Sequence, residues 1–509
     1  MRSGWLITVA AWLFAVATAI AFSAIVAADS DLWGHLAFGS AILDSGSLPR
    51  TDTYSYTANG QPWINHEWLA ELIAALCYRV AGDAGLLAAK AFVAIGIALL
   101  LLSTCLRRGS HPLIAAAVVA LCLSAMAPGF TLRPQLASYL LFAVCWTMIE
   151  RFVRTQRHRH LLWLPLLVVL WVNLHGGVLM GCALIGVVAA WQTLAATIGW
   201  ERPSHWRGWW LTVALAALAL LVNPYGWQLP AFFAQTLGRH GAIVEWAALP
   251  LAGWHYPRFN LMLLAVVVVF GARPRRADGW QLAVVVMTGA AALLHQRHAP
   301  FFALAAAPYL AQRGTDLAQA IARRFTAWRL GDRAQRALAA VFVVLAVIQI
   351  GFGVRPYAAA GLRITVDARR FPVAAVQLMR SGGIYGNIAL PFDWGEYVIW
   401  HLAPQGRVSV DGRFETVYPQ PFLDRYYNGA VAFAQWRQLF DDYPTDLVLV
   451  PDLPGIADVM AGDAGWVELH SDATARLYLR RGVRADLYLQ WLAERPPIGA
   501  SDTAESFFP

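Results

Sequence analysis

The sequence predicts an α-helical polytopic membrane protein of about eleven transmembrane helices followed by a C-terminal extracytoplasmic α/β domain. Three observations carry this reading: the composition, the spacing of the apolar runs and the placement of arginine. Of 509 residues, 58% are hydrophobic and only 14% are charged, whereas soluble chains carry about a quarter charged residues. The net charge of +8 does not indicate nucleic acid as a partner. The basic residues are nearly all Arg, and they fall in short clusters between apolar runs, as cytoplasmic loops do.

A helix needs about 20 apolar residues to cross a bilayer. Such runs lie at 5–28, 84–106, 111–127, 134–153, 160–174, 176–199, 208–223, 258–272, 279–295, 299–312 and 337–355. The first exceeds a signal-peptide core in length and is followed by further spans, so it reads as a retained helix. With the N-terminus cytoplasmic, the inner loops carry Arg107 and Arg108, then Arg151, Arg154, Arg157 and Arg159. Arg273, Arg275 and Arg276 follow, and later Arg323, Arg324, Arg333 and Arg336. This positive-inside bias requires an odd number of spans and puts the C-terminal domain outside. The segment His66–Val80 is short and carries Glu67, Glu71 and Arg79. It reads as a helix at the outer interface.

The predicted transmembrane domain is 1–355, including a long first outer loop at 29–83; the second domain and tail are 356–509. In that second part, β-like runs (Asn387–Pro391, Arg407–Val410, Leu447–Val450, Ala475–Leu479) mix with helical stretches (Pro372–Met379, Ala430–Leu439, Gly455–Ala461), the mark of an α/β unit. Gly382-Gly383 and Asp411-Gly412-Arg413 read as turns. The cysteines Cys77, Cys105, Cys122, Cys145 and Cys182 lie in or beside apolar segments with no CxxC pair, so no disulfide framework is expected.

The polar signatures collect on one side of this topology. Asp29-Ser30-Asp31 follows the first helix, and His35 is one helical turn beyond Asp31. The same loop runs on through Asp52 to Asn65-His66-Glu67-Trp68. Later outer edges supply Arg133-Pro134-Gln135, Asn173-Leu174-His175, Asn223-Pro224-Tyr225-Gly226, Glu245-Trp246 and His295-Gln296-Arg297-His298. Singly, each has an ordinary explanation: a helix cap, a headgroup anchor, an aromatic belt. Together they place carboxylates, imidazoles and guanidinium groups at one rim, and ionisable groups at membrane depth are candidates for function.

An Asp ending the first helix and opening a long outer loop resembles the GT-C superfamily of integral-membrane glycosyltransferases. The most similar branch uses polyprenyl-phosphate sugars and includes aminoarabinose, protein mannosyl and rhizobial lipopolysaccharide transferases. Asp31, His35, Gly39 and Gly46, followed by Leu48-Pro49, hold that branch's positions; Leu32 replaces its usual Glu and His35 its aromatic. The chain is also similar to a bacterial group of membrane proteins with DxDLWxHL, HEWL, RPQ, NLHGG and NPYG segments.

The resemblance implies hexosyl or pentosyl transfer from a polyprenyl-phosphate-linked donor to a glycan, lipid or protein acceptor, within membrane lipid. Such transfer needs a base for the acceptor proton and cations or oriented donors for the departing phosphate. Asp31 is assigned as base, with Glu67 and Asp29 as alternatives. Arg133 and Arg297 are assigned to the phosphate, and His35, His66, Asn173, His175 and Glu245 to substrate binding. No cofactor and no metal ligand is assigned, because no HExxH or comparable spacing occurs; a divalent metal stays open. Two rival classes exist. A transporter or flippase of lipid-linked intermediates calls for inverted repeats and midplane polar groups, whereas here only Lys90 lies well inside a span. An assembly scaffold leaves the Asp31 cluster without a role.

Overall fold

The computed structural model describes residues 2–157, 159–200, 206–236, 246–250, 256–272, 279–324, 331–430, 442–494 and 506–508. The described helices begin with α1 (Arg2–Ser23), α2 (Leu32–Ser45), α3 (Trp68–Arg107), α4 (Pro112–Met126), α5 (Gln135–Thr155) and α6 (Arg159–Val172). They continue with α7 (Val178–Thr197), α8 (Trp206–Ala219), α9 (Gln228–Thr236), α10 (Pro257–Ala272), α11 (Gly279–Leu294), α12 (Ala299–Arg324) and α13 (Asp332–Ala359). Each of the eleven apolar runs overlaps one of these helices. Among the described residues, six helices are long and apolar enough to cross a membrane: α1, α3, α4 with its 3-10 extension, α5, α7 and α13. Shorter apolar helices occupy His160–Val172, Pro257–Phe270 and Gly279–Leu294. The chain is a multi-pass helical membrane protein.

Two compact units emerge, Met1–Ile25 with Leu87–Gly361, and Val26–Leu86 with Leu362–Pro509. In the first, α1 packs on α13 and α4, α4 on α12, and α12 on α11 and α10. Phe14 meets Phe342 edge-on at 4.8 Å, and Thr18 donates to Gln349 at 2.8 Å. Gly353 lets the backbones of α13 and α1 approach closely: a Cβ there would stand 2.8 Å from Ala21 Cα, which is why small residues mark membrane helix crossings. A buried polar knot ties α5, α11 and α12. Arg108 donates to Glu150 at 2.7 Å, to Gln312 at 2.9 Å and to Gln281 at 2.9 Å. Lys90, wholly buried, donates from Nζ to the carbonyl of Ile25.

The second unit is built on a five-stranded mixed sheet. After β1 (Thr365–Val366) come β2 (Asn387–Ala389), β3 (Arg407–Val408), β4 (Leu447–Pro451), β5 (Trp466–Ser471), β6 (Ala475–Arg480) and β7 (Ser506–Phe507). The order is β3-β2-β4-β6-β5, with β2 parallel to β3 and β4, and β6 antiparallel to β4 and β5. Strand β4 is an unbroken Leu-Val-Leu-Val run, all buried, as befits a central strand covered on both faces. Helices α14 (Val373–Gly382), α15 (Gly395–Leu402), α16 (Gln420–Ala430), α17 (Pro454–Ala461) and α18 (Val483–Ala493) surround it. The left-handed Gly383 (φ 62°) ends α14. Of the helical stretch expected at Ala430–Leu439, residues 431–439 lie outside the described residues.

The first-loop segment packs into this same unit. Tyr56 N–H donates to Val408 O at 3.1 Å and Val408 N–H to Tyr54 O at 3.1 Å, so residues 54–56 extend the sheet beyond β3. Thr365 N–H likewise donates to Val26 O at 2.9 Å. Helix α2 packs on α15, its Trp33 wedged edge-on against Phe371 (4.7 Å) and Tyr397 (4.9 Å). It ends at Gly46, whose φ of 64° suits the left-handed cap that only Gly adopts cheaply. Helix α3 begins at Trp68 but breaks at Ala81 and Gly82, where the backbone leaves helical geometry. The stretch expected to lie at the outer interface is the arm before this break.

Candidate active site

Asp31 sits at the N-cap of α2, and its main-chain carbonyl accepts the His35 N–H at 3.1 Å. That confirms the one-turn relation between the two residues. Its carboxylate accepts from Ser30 Oγ at 3.2 Å, while its own N–H donates to Asp29 Oδ1 at 3.2 Å. Asp29 thus shapes the turn that presents Asp31.

Beside it, α2 meets the first arm of α3 through Gly39, where a Cβ would collide with the Glu71 carbonyl. This close approach brings His35 Nδ1 to 3.4 Å from Glu71 Oε1. The other Glu71 oxygen accepts from Asn65 Nδ2 at 2.5 Å, and Asn65 Oδ1 in turn accepts the Glu67 N–H at 3.1 Å. Glu67 Oε1 stands 3.6 Å from His66 Nε2. Burial alone would lower the pKa of His35, but the Glu71 hydrogen bond and the charges of Glu67, Glu71 and Asp31 outweigh it and raise the value. His35, Glu67 and Glu71 present ligand atoms within 4.8 Å of one another. One imidazole nitrogen and two carboxylates at that spacing fit a single divalent cation. Sequence spacing missed this set because His35 joins Glu67 and Glu71, one helical turn apart, only through packing of α2 on α3.

The C-terminal segment closes the floor. Glu396, the second residue of α15, is only 3% exposed and accepts the Gly34 N–H at 3.1 Å. Gly412, between Asp411 and Arg413, faces both acids: a Cβ there would stand 3.2 Å from Asp31 Oδ1 and would strike Glu396 Oε1. Arg413 is gripped by Asp411 (2.8 and 2.7 Å) and by Asp52 (2.6 Å). Its guanidinium lies over Phe38, Tyr54 and Trp63 at 5.1, 5.2 and 4.8 Å. Tyr418 donates to Asp411 at 2.7 Å. Burial would raise the Asp411 pKa, but Arg413 and Tyr418 hold it below the ordinary carboxylate value.

The remaining assigned residues belong to the helical unit. His175 Nδ1 accepts the Gly177 N–H at 2.9 Å and lies 2.7 Å from Ser138 Oγ, which itself accepts from Trp171 Nε1 at 2.7 Å. Because Nδ1 is an acceptor, its hydrogen bonds place the ring proton on Nε2. Asn173 Nδ2 joins the carbonyls of Val169 (2.8 Å) and Val222 (2.9 Å), a helix-end tie. The Arg133 carbonyl accepts the Leu136 N–H at 3.1 Å, at the start of α5. Arg297 stacks over Trp246 at 4.5 Å and lines a cavity of about 480 Å³ with Arg258, Tyr256, Gln296, Gln135 and Tyr139. Glu245 lies outside the described residues. Arg258 reaches this cavity from the start of α10.

This architecture, a many-helix membrane body and a mixed-sheet domain, is a fold shared with solved structures. Among solved structures, the chain is similar to the Archaeoglobus fulgidus oligosaccharyltransferase in its apo form, with a TM-score of 0.58 at 11% identity. That match covers 94% of this chain and 74% of the other. It is also similar to ArnT from Cupriavidus metallidurans bound to undecaprenyl phosphate, with a TM-score of 0.54 at 12% identity, covering 95% of this chain and 99% of that one. A third, the archaeal oligosaccharyltransferase AglB in complex with an inhibitory peptide and a dolichol-phosphate, gives 0.55 at 12% identity over 97% and 75%. No protein-family model and no curated protein matches the sequence.

Proposed function

We propose that this chain is a membrane glycosyltransferase that moves a hexosyl or pentosyl group from a polyprenyl-phosphate donor to a glycan, lipid or protein acceptor. It acts at the outer face of a bacterial inner membrane, with the N-terminus in the cytoplasm. The observation that carries the reading is Asp31: a carboxylate at the mouth of α2, among buried carboxyls, on a fold shared with enzymes solved with undecaprenyl phosphate and dolichol-phosphate.

In this reaction the acceptor oxygen or nitrogen attacks the anomeric carbon. The bond from that carbon to the phosphate oxygen breaks, and its electron pair leaves with the lipid phosphate. Asp31 takes the acceptor proton. Arg297 and Arg258, sharing one cavity, are suited to hold the phosphate and offset its growing charge, and Arg133 remains assigned to the same role. Glu67 and Asp29 are the alternative bases, and the Asp29 bond to the Asp31 N–H favours an orienting part for Asp29. His35, Glu67 and Glu71 would hold a divalent cation if one is used, which would add positive charge beside the carboxylates. His175 and Asn173 are occupied with main-chain and Ser138 partners, which favours a part in shaping their helix ends.

The test uses the full chain in lipid nanodiscs with a panel of undecaprenyl-phosphate-linked hexoses and pentoses. Asp31→Asn is expected to lower turnover by about 100-fold to 10,000-fold while undecaprenyl phosphate still binds. Arg297→Ala is expected to weaken undecaprenyl phosphate binding as well. Full turnover in both Asp31→Asn and Asp29→Asn would overturn the reading.

A further inference from the structure

An Asp at a helix N-cap ordinarily turns its carboxylate onto the N–H of the second or third helical residue. Asp31 does not. It occupies the N-cap of α2 in a helical backbone conformation (φ −87°, ψ −8°) and makes no side-chain capping bond. The N–H it would serve, that of Gly34, donates instead to Glu396 Oε2 at 3.1 Å. This cap arrives from 362 positions away in sequence, on α15, which packs along α2.

The surroundings are shaped for this contact. A Cβ on Gly34 would run into the Glu396 carboxyl, and one on Gly412 would strike its other oxygen. Two glycines therefore make room for one buried acid. Across Gly412 that second oxygen faces the Asp31 carboxylate.

We infer that Glu396 is a positioning residue for transfer: it caps α2 in place of Asp31 and so keeps the Asp31 carboxylate off the N–H groups of its own helix, as a base for the acceptor proton requires. The inference rests on the assignment of Asp31 as the base. Two ionised carboxylates do not share such a site, so Glu396 does its work as the neutral acid. Its Oε2 takes the Gly34 N–H. Burial raises the Glu396 pKa well above the ordinary value, the negative charges of Asp31, Asp411 and Glu71 raise it further, and Arg413 opposes them. On the Asp31 side, the segment itself carries Asp29 and His35.

The test is a set of full-chain variants assayed with the undecaprenyl-phosphate sugar that supports turnover. In Glu396→Ala the Gly34 N–H loses its acceptor, and the nearest replacement is the Asp31 carboxylate. The expected result is a fall in kcat of about 100-fold, the scale of a misplaced catalytic group, with KM for the donor unchanged. The acid limb of the pH profile should also move to lower pH, because a carboxylate that accepts main-chain N–H bonds is a weaker base. Glu396→Gln keeps the amide carbonyl in place and is expected to restore most of the lost rate and the original acid limb. If Glu396→Ala does not fold, Glu396→Asp carries the same test, since it withdraws the carboxyl by one methylene. A wild-type kcat in the Ala or Asp variant would overturn the inference. So would a folded Glu396→Gln as slow as Glu396→Ala. If Asp31→Asn alone keeps full turnover, it is the base assignment that fails, whatever Glu396 does.

Discussion

Arg413 is a buried cation held by partners on several sides in the second unit. Its guanidinium is 4% exposed, lies between two fully buried aspartates and is roofed by three aromatic rings. Removing one partner of such a pair strands the others in low dielectric, at a cost of about 3–5 kcal/mol. Arg413→Ala is therefore expected to lower the melting temperature of the purified chain sharply. Arg413→Lys should not rescue it, since an ammonium cannot reproduce the two-pronged bond to Asp411. His35 sets a second prediction. Its pKa is raised, against the pull of burial, by Glu71, Glu67 and Asp31. A group whose folded pKa exceeds its unfolded one adds stability below the unfolded value, and loses it as pH rises through the folded value. Imidazole NMR should show His35 still protonated above pH 6.5, and His35→Ala should flatten the loss of stability across that window. An imidazole that titrates below the ordinary value would count against the carboxylate nest.

At the scale of elements, glycines decide which helices touch. Gly39 lets α2 press on the Glu71 carbonyl, and no side chain fits there. Gly39→Ala must force the two helices apart, and overpacking of this kind costs about 1–3 kcal/mol. Gly186, in the middle of α7, has nothing within 4 Å of an added Cβ, so Gly186→Ala should be neutral or stabilising through better helix propensity. Thermal melting of the two variants, side by side, checks this; equal effects would mean that the α2–α3 approach is not tight. Most elements were legible beforehand. The apolar runs became helices, and the runs at 387, 407, 447 and 475 became β2, β3, β4 and β6. Strand β5 was not, because Trp466–Ser471 mixes Glu468 and His470 with apolar residues on a half-covered edge, and its pairing with β6 comes only from the sheet.

For the whole molecule, the arginine bias predicts a C-terminal domain outside the cytoplasm. A phosphatase reporter fused after residue 360 is expected to be active in the periplasm, and a cytoplasmic reporter at the same point inactive. The opposite pattern would change the parity of the spans, and the arm of α3 before Gly82 would be the first segment to re-examine. Composition and periodicity by themselves determined the helical membrane body and the α/β character of the C-terminal part, because these depend on neighbours along the chain; the proposal of Asp31 as base came from the resemblance at the end of the first helix. A run of apolar residues is a helix or a strand largely on local grounds. Only the tertiary structure decided that residues 26–86 pack with 362–509. It also decided that Glu71 meets His35, that Arg413 meets Asp52, and that Glu396 caps α2 at Gly34, 362 residues earlier. Those contacts join residues whose separation in sequence carries no periodic trace; they follow from how glycines let backbones approach and from the need of each buried charge for a partner.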